Sequence, residues 1–181
     1  IILSILALSI LSACSDKTED NNNTNLNSES IKIEHELGVL DLTGKPKDLV
    51  VFDYGSLENL DLLDVNVVGL PKASLPENLS KYKDDQYADL GGLKEPDFEK
   101  IYELKPDLII ISGRQADLYD EFSKIAPTLY LTIDGSKYME DLSKNLDILS
   151  KIFDDKDVLS EQWAEINTKI DQIKDRANKD K

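Results

Sequence analysis

The stretch KPDLIIISGRQADLYDEF, Lys105 to Phe122, decides the fold. Leu108 to Ile111 is an unbroken aliphatic run stopped by Ser112-Gly113, the pattern of a short strand buried on both faces. The residues behind it, 116–125, have helical spacing. At the strand's tip stands Arg114. The only other arginine, Arg176, lies in a polar tail, and every other basic side chain is a lysine apart from the single His35.

Working outward, the same rhythm recurs. LVVFD (49–53) reads as a buried strand, and SLENLDLLD (56–64) as a helix with Leu57, Leu60 and Leu63 on one face and Ser56 as N-cap. VNVVGL (65–70) predicts a strand, LPENLSKYKDD (75–85) a short helix and YADLGG (87–92) a weak strand. EPDFEKIYELK (95–105) predicts a helix with Phe98, Ile101, Tyr102 and Leu104 inward and Pro96 in its first turn. TLYLTID (128–134) is a further strand. IKIEHELGVLDLTG (31–44) predicts an opening hairpin around Gly38. Strands alternating with helices through short links imply an α/β fold, a parallel sheet flanked by helices on both faces. From Ser136 the rhythm stops. Leu142, Leu146, Leu149 and Phe153 stripe one helix, and Leu159, Trp163, Ile166, Ile170 and Ile173 a longer one that is expected to lie against the domain.

The composition narrows the function. Thirty-six acidic against 21 basic residues in 181 give a net charge of -15 and a pI near 4.4. Such a chain repels nucleic-acid phosphates and anionic head groups, so no nucleic-acid partner is expected. One cysteine, Cys14, allows no internal disulfide. Residues 1–13, IILSILALSILSA, are apolar but too short to span a bilayer and end in small residues, like the core of a secretory signal. LSAC (11–14) resembles a bacterial lipobox, in which the cysteine is lipidated. The expectation is a signal segment over 1–14, without its basic beginning, and a flexible tether over 15–30. That polar, asparagine-rich tether would reach about 20–25 Å.

In open parallel sheets, ligands bind beyond the carboxyl ends of the strands. The turns expected there hold Asp53 and Tyr54, Lys72, Gly91-Gly92, Ser112 to Gln115, and Asp134. Arg114 and Lys72 supply positive charge, Tyr54 a hydroxyl and Gln115 an amide. An arginine differs from a lysine in its planar fork, which pairs with two oxygens at once and stacks on flat rings. That suits a flat, oxygen-rich anion; the alternative is a local ion pair with Asp117 or Asp134. His35 is expected to be a hydrogen-bonded structural histidine, since no second histidine exists to complete a metal site. Asp53 is either a catalytic carboxylate or the cap of the next helix. There is no Walker loop, no G-x-G-x-x-G after the first strand and no G-x-S-x-G elbow.

The segments PKDLVVFDYGSLENLDLLDVNVVGLPK and DLGGLKEPDFEKIYELKPDLIIISGRQADLYDEFSKIAPTLYL, with the lipobox, resemble the N-terminal half of an iron-siderophore substrate-binding lipoprotein of an ABC importer. Among these, the likeness is to binding proteins for ferric catecholates of the petrobactin and enterobactin type. The resemblance implies one lobe of a class III periplasmic-binding-protein fold over 31–153. It implies the start of a rigid interlobe helix over 154–181, with no second lobe following. It further implies that Arg114 contacts catecholate oxygens, with Lys72 as a second contact, and that Glu99 docks on the permease. The expected protein is not an enzyme and has no cofactor. It is a monomer, lipid-anchored at Cys14 on the outer face of the cell membrane, with a ferric siderophore and ABC permease subunits as partners. The competing readings keep the fold for cobalamin, haem or a hydroxamate siderophore, or make it an α/β enzyme using Asp53 and Arg114 on a small anion.

Overall fold

The computed structural model describes residues 30–179, so Cys14 and the expected signal and tether lie outside the described residues. The described chain opens with an antiparallel hairpin, β1 (Ser30–His35) and β2 (Gly38–Thr43), in register from Ser30 opposite Thr43 to His35 opposite Gly38. Then follow β3 (Leu49–Val51), α1 (Tyr54–Leu62), β4 (Val67–Leu70), a 3-10 run (Glu77–Lys83), β5 (Ala88–Asp89), α2 (Phe98–Leu104) and β6 (Leu108–Ile111). A second 3-10 run (Gly113–Leu118) leads into α3 (Tyr119–Ser123), β7 (Thr128–Tyr130), α4 (Tyr138–Phe153) and α5 (Lys156–Lys179).

Strands β3 to β7 form one parallel sheet in the order β5-β4-β3-β6-β7. The α/β architecture is thus the expected one, closing with a long helix. Side chains of the central run alternate. Leu108 and Ile110 join Leu49 and Val51 on the face covered by α1, α4 and α5, while Ile109 and Ile111 join Val50 and Phe52 on the face covered by α2 and α3. A strand covered on both sides has no polar face to show, which is why LIII carries no alternation in sequence. Burying each such side chain contributes about 1.5–3 kcal/mol.

Several local expectations change. The helix expected over 116–125 opens as the 3-10 run and becomes α-helical only at Tyr119, because Leu118 takes φ -107°, ψ 9°. The segment 75–85 is likewise a 3-10 run, interrupted at Leu79 (φ -106°, ψ 15°). The N-cap of α1 is Asp53, not Ser56: its Oδ2 accepts from the Ser56 amide at 2.7 Å and the Ser56 hydroxyl at 2.8 Å. Pro96 lies outside α2, whose cap is Asp97. Tyr102 is 68 % exposed rather than inward. It follows the fully buried Ile101, and one residue turns a helical side chain by about 100°, away from the sheet.

The hairpin packs Ile33, Leu40 and Leu42 into the same core as Leu129 and Leu131. At its tip the His35 ring meets Tyr119 edge-on at 5.5 Å and lies 6.4 Å from Tyr130. The hydrogen-bonded histidine expected here is not found: among the described residues neither ring nitrogen has a hydrogen-bond partner, and the ring is held by packing against the two tyrosines. Burial pushes its pKa down, offset in part by the Thr128 backbone. A depressed imidazole pKa favours the neutral form in the fold, so stability should fall as pH drops from about 6.5 towards the lower folded value. Thermal melts between about pH 7.5 and pH 5 should show this loss. His35→Phe should abolish the part due to this residue; an unchanged pH dependence in the variant would refute it.

Candidate functional site

From β3 the chain moves outward through β4 to β5, then returns to the other side of β3 as β6 and moves outward again to β7. The reversal lies between β3 and β6, where connections leave in opposite directions and open a crevice at the carboxyl ends. The turns flanking that crevice are Asp53-Tyr54 and Ser112-Gly113-Arg114, and the β4 turn at Pro71-Lys72 lies beside them. The sheet order alone thus places Arg114 and Tyr54 together.

Each expected side chain has a definite setting. Arg114 is exposed and makes neither a hydrogen bond nor an ion pair among the described residues. Asp134, one of the acids that could have neutralised it, instead accepts from the amide and hydroxyl of Ser136 at 2.8 and 2.9 Å. Tyr54 is half-buried at the start of α1, and its hydroxyl donates to the Pro71 carbonyl at 2.9 Å, joining the ends of β3 and β4. Burial raises the pKa of that hydroxyl and the charge of Asp89 adds to the rise, whereas Arg114 and the Ser74 backbone oppose it. Tyr54 therefore stays a neutral donor or stacking surface beside the guanidinium.

Two candidates are engaged by the protein itself. The Lys72 ammonium donates to the carbonyls of Asp84 at 2.7 Å and Lys83 at 3.3 Å, at the carboxyl end of the first 3-10 run. Its amide is held by Asp89 Oδ1 at 3.3 Å. Gln115, expected as a ligand contact, is 0 % exposed. Its Oε1 accepts from the Ser112 amide at 3.1 Å, and its Nε2 donates to the Leu93 carbonyl. Both amide atoms are occupied, so Gln115 supports the turn from within. Asp53 is likewise engaged as a helix cap. Glu99 is exposed in the first turn of α2.

Sequence reading placed a turn at Gly91-Gly92 but missed Asp89, which holds it. Asp89 Oδ1 accepts from Lys72 and Gly91 amides at 3.3 and 3.2 Å, and so braces two crevice loops. Gly91 has φ +84°, and a Cβ there would meet the Glu95 carbonyl oxygen at 2.7 Å. The turn expected at Gly91-Gly92 is thus present, and glycine is what its positive φ requires. A cleft of about 530 Å³ lined by Lys45, Lys47 and Asp107 lies at the amino ends of the strands, opposite the crevice. Among the described residues, no cluster of His, Cys, Asp and Glu could hold a metal ion.

The periplasmic binding protein family model matches residues 49–181. The chain belongs to that family. It is 45 % identical to the petrobactin-binding protein YclQ of Bacillus subtilis over 98 % of this chain and 57 % of that protein. The crystal structure of YclQ superposes with a TM-score of 0.80 at 52 % identity, over 83 % of this chain and 54 % of that one. The catecholate-siderophore binding protein VctP of Vibrio cholerae gives 0.76 at 35 % identity, over 83 % and 55 %. This periplasmic binding protein chain thus spans about half the length of the relatives it matches. Those relatives are named for the siderophores they bind.

Proposed function

We propose that the chain is the N-terminal lobe, over 31–153, of an extracytoplasmic receptor for a ferric catecholate siderophore, delivering iron to an ABC permease. The observation that carries this reading is Arg114: an exposed, unpaired guanidinium at the switch point, beside the neutral hydroxyl of Tyr54. A catecholate offers what that fork recognises, two adjacent anionic oxygens on a flat ring. The names of YclQ and VctP support the same ligand class. An open crevice covers one side of a ligand only; residues 154–181, which include α5, are read as the start of the connection to a second lobe that closes the other.

The net charge of -15 does not forbid an anionic ligand. Charges more than about 8 Å away are strongly screened at physiological salt, so groups in the crevice dominate. Lipidation at Cys14 would hold the protein to the membrane, and among the described residues no helix is long and apolar enough to cross one. The exposed Glu99 suits a basic pocket on the permease, and the receptor acts as a monomer. Lys72 contributes by stapling the loop after β4 to the first 3-10 run.

Titration with ferric petrobactin tests the reading through quenching of Trp163 and the tyrosines. A saturable response is expected, weakening as salt rises, with a smaller response to a neutral ferric hydroxamate. No saturable response to the catecholate, or a stronger one to the hydroxamate, would reject this ligand class.

A further inference from the structure

A fully buried glutamine next to an exposed ligand-facing arginine calls for an explanation. A primary amide removed from water costs free energy unless its hydrogen bonds are replaced. Gln115 achieves this with two partners on different loops: the Ser112 amide on its own turn and the Leu93 carbonyl 22 residues away. Arg114 lies between Ser112 and Gln115, in the turn closed by the Gln115 amide donating to the Ser112 carbonyl at 2.9 Å. The guanidinium has no partner of its own among the described residues, so its direction depends on that backbone.

The loop at the other end is stiff. Gly92 and Glu95 exchange backbone hydrogen bonds at 3.0 and 3.2 Å, the Asp97 amide donates to Leu90 O at 2.9 Å, and Asp97 Oδ1 caps α2 through the Lys100 amide at 3.1 Å. Gly91 is in the left-handed region. Leu93 O is therefore a fixed anchor. A leucine or methionine at 115 would fill the space but leave the Ser112 amide and Leu93 carbonyl without these partners. A glutamate would set a carboxylate against the carbonyl.

We propose that Gln115 is the positioning residue for Arg114, its side-chain amide locking the turn that presents the guanidinium to the loop 91–97 that leads into α2. This rests on the reading of Arg114 as the ligand contact, and the experiment separates the two. Ferric petrobactin is titrated against the unaltered protein, Gln115→Met, Arg114→Ala and the double variant, with thermal melts to show that each is folded. Gln115→Met should weaken binding by about tenfold, as for one lost charge-assisted hydrogen bond. It should cost nothing further once Arg114 is alanine, since residues acting through one interaction are not additive.

Amide hydrogen exchange without ligand gives an independent measure. Gln115→Met should speed exchange at Ser112 and across 92–95 together, while Arg114→Ala leaves both protected. Additive losses, unchanged affinity in Gln115→Met, or exchange rising at only one loop would overturn the proposal. An Arg114→Ala variant that binds normally overturns the ligand reading instead, leaving the exchange result to judge the locking. Should Gln115→Met fail to fold, Gln115→Asn keeps the amide one methylene short and is held to the same outcomes.

Discussion

Replacing Arg114 by alanine should lower affinity for ferric petrobactin by about ten- to a hundredfold, the equivalent of 1.5–3 kcal/mol for a charge-assisted contact. The fold should be untouched. The side chain is exposed and has no hydrogen-bond or ion-pair partner among the described residues, so nothing in the core depends on it and unfolding stability should change by no more than a surface substitution does, about 0.5 kcal/mol. Arg114→Lys should fall between the two, because an ammonium keeps the charge and loses the planar fork. Raising salt should narrow the gap between Arg114 and its alanine variant. Equal affinities for arginine and alanine, measured by fluorescence or calorimetric titration, would show that the guanidinium does not touch the ligand.

The largest effect on stability is expected at Phe122. It is fully buried under the sheet face that α2 and α3 cover, with its ring 5.1 Å from Phe52 and 4.9 Å from Phe98. It joins three elements: α3, the carboxyl end of β3 and the start of α2. Phe122→Ala removes those contacts and leaves a cavity that close-packed neighbours refill only in part, at a cost of about 3–5 kcal/mol. Denaturant unfolding should show the midpoint falling with little change in slope. A loss below about 1 kcal/mol would mean that this face is much looser than drawn.

Together the two substitutions separate the parts of the molecule. Phe122→Ala should destabilise the lobe that carries the crevice, while Arg114→Ala should empty the crevice of its grip and leave the lobe standing.

Alternation of apolar runs and amphipathic stretches was enough to determine the α/β class, the buried status of Leu108 to Ile111 and the position of Arg114 at a strand tip. These properties are local: they depend on which side chains avoid water and on where Gly and Ser interrupt them. The 3-10 runs and the outward turn of Tyr102 were not legible, because single backbone angles and the phase of a short helix are settled by packing. Nor were the directions of side chains in the loops. Lys72 and Gln115 are polar residues in turns, and by composition both could face a ligand. Only in three dimensions do the carbonyls of Lys83, Asp84 and Leu93 come within their reach, holding Lys72 at the surface and burying Gln115. Arg114 met no such acceptor, so its exposure was decided by where the strand order reverses and by which neighbours were already engaged.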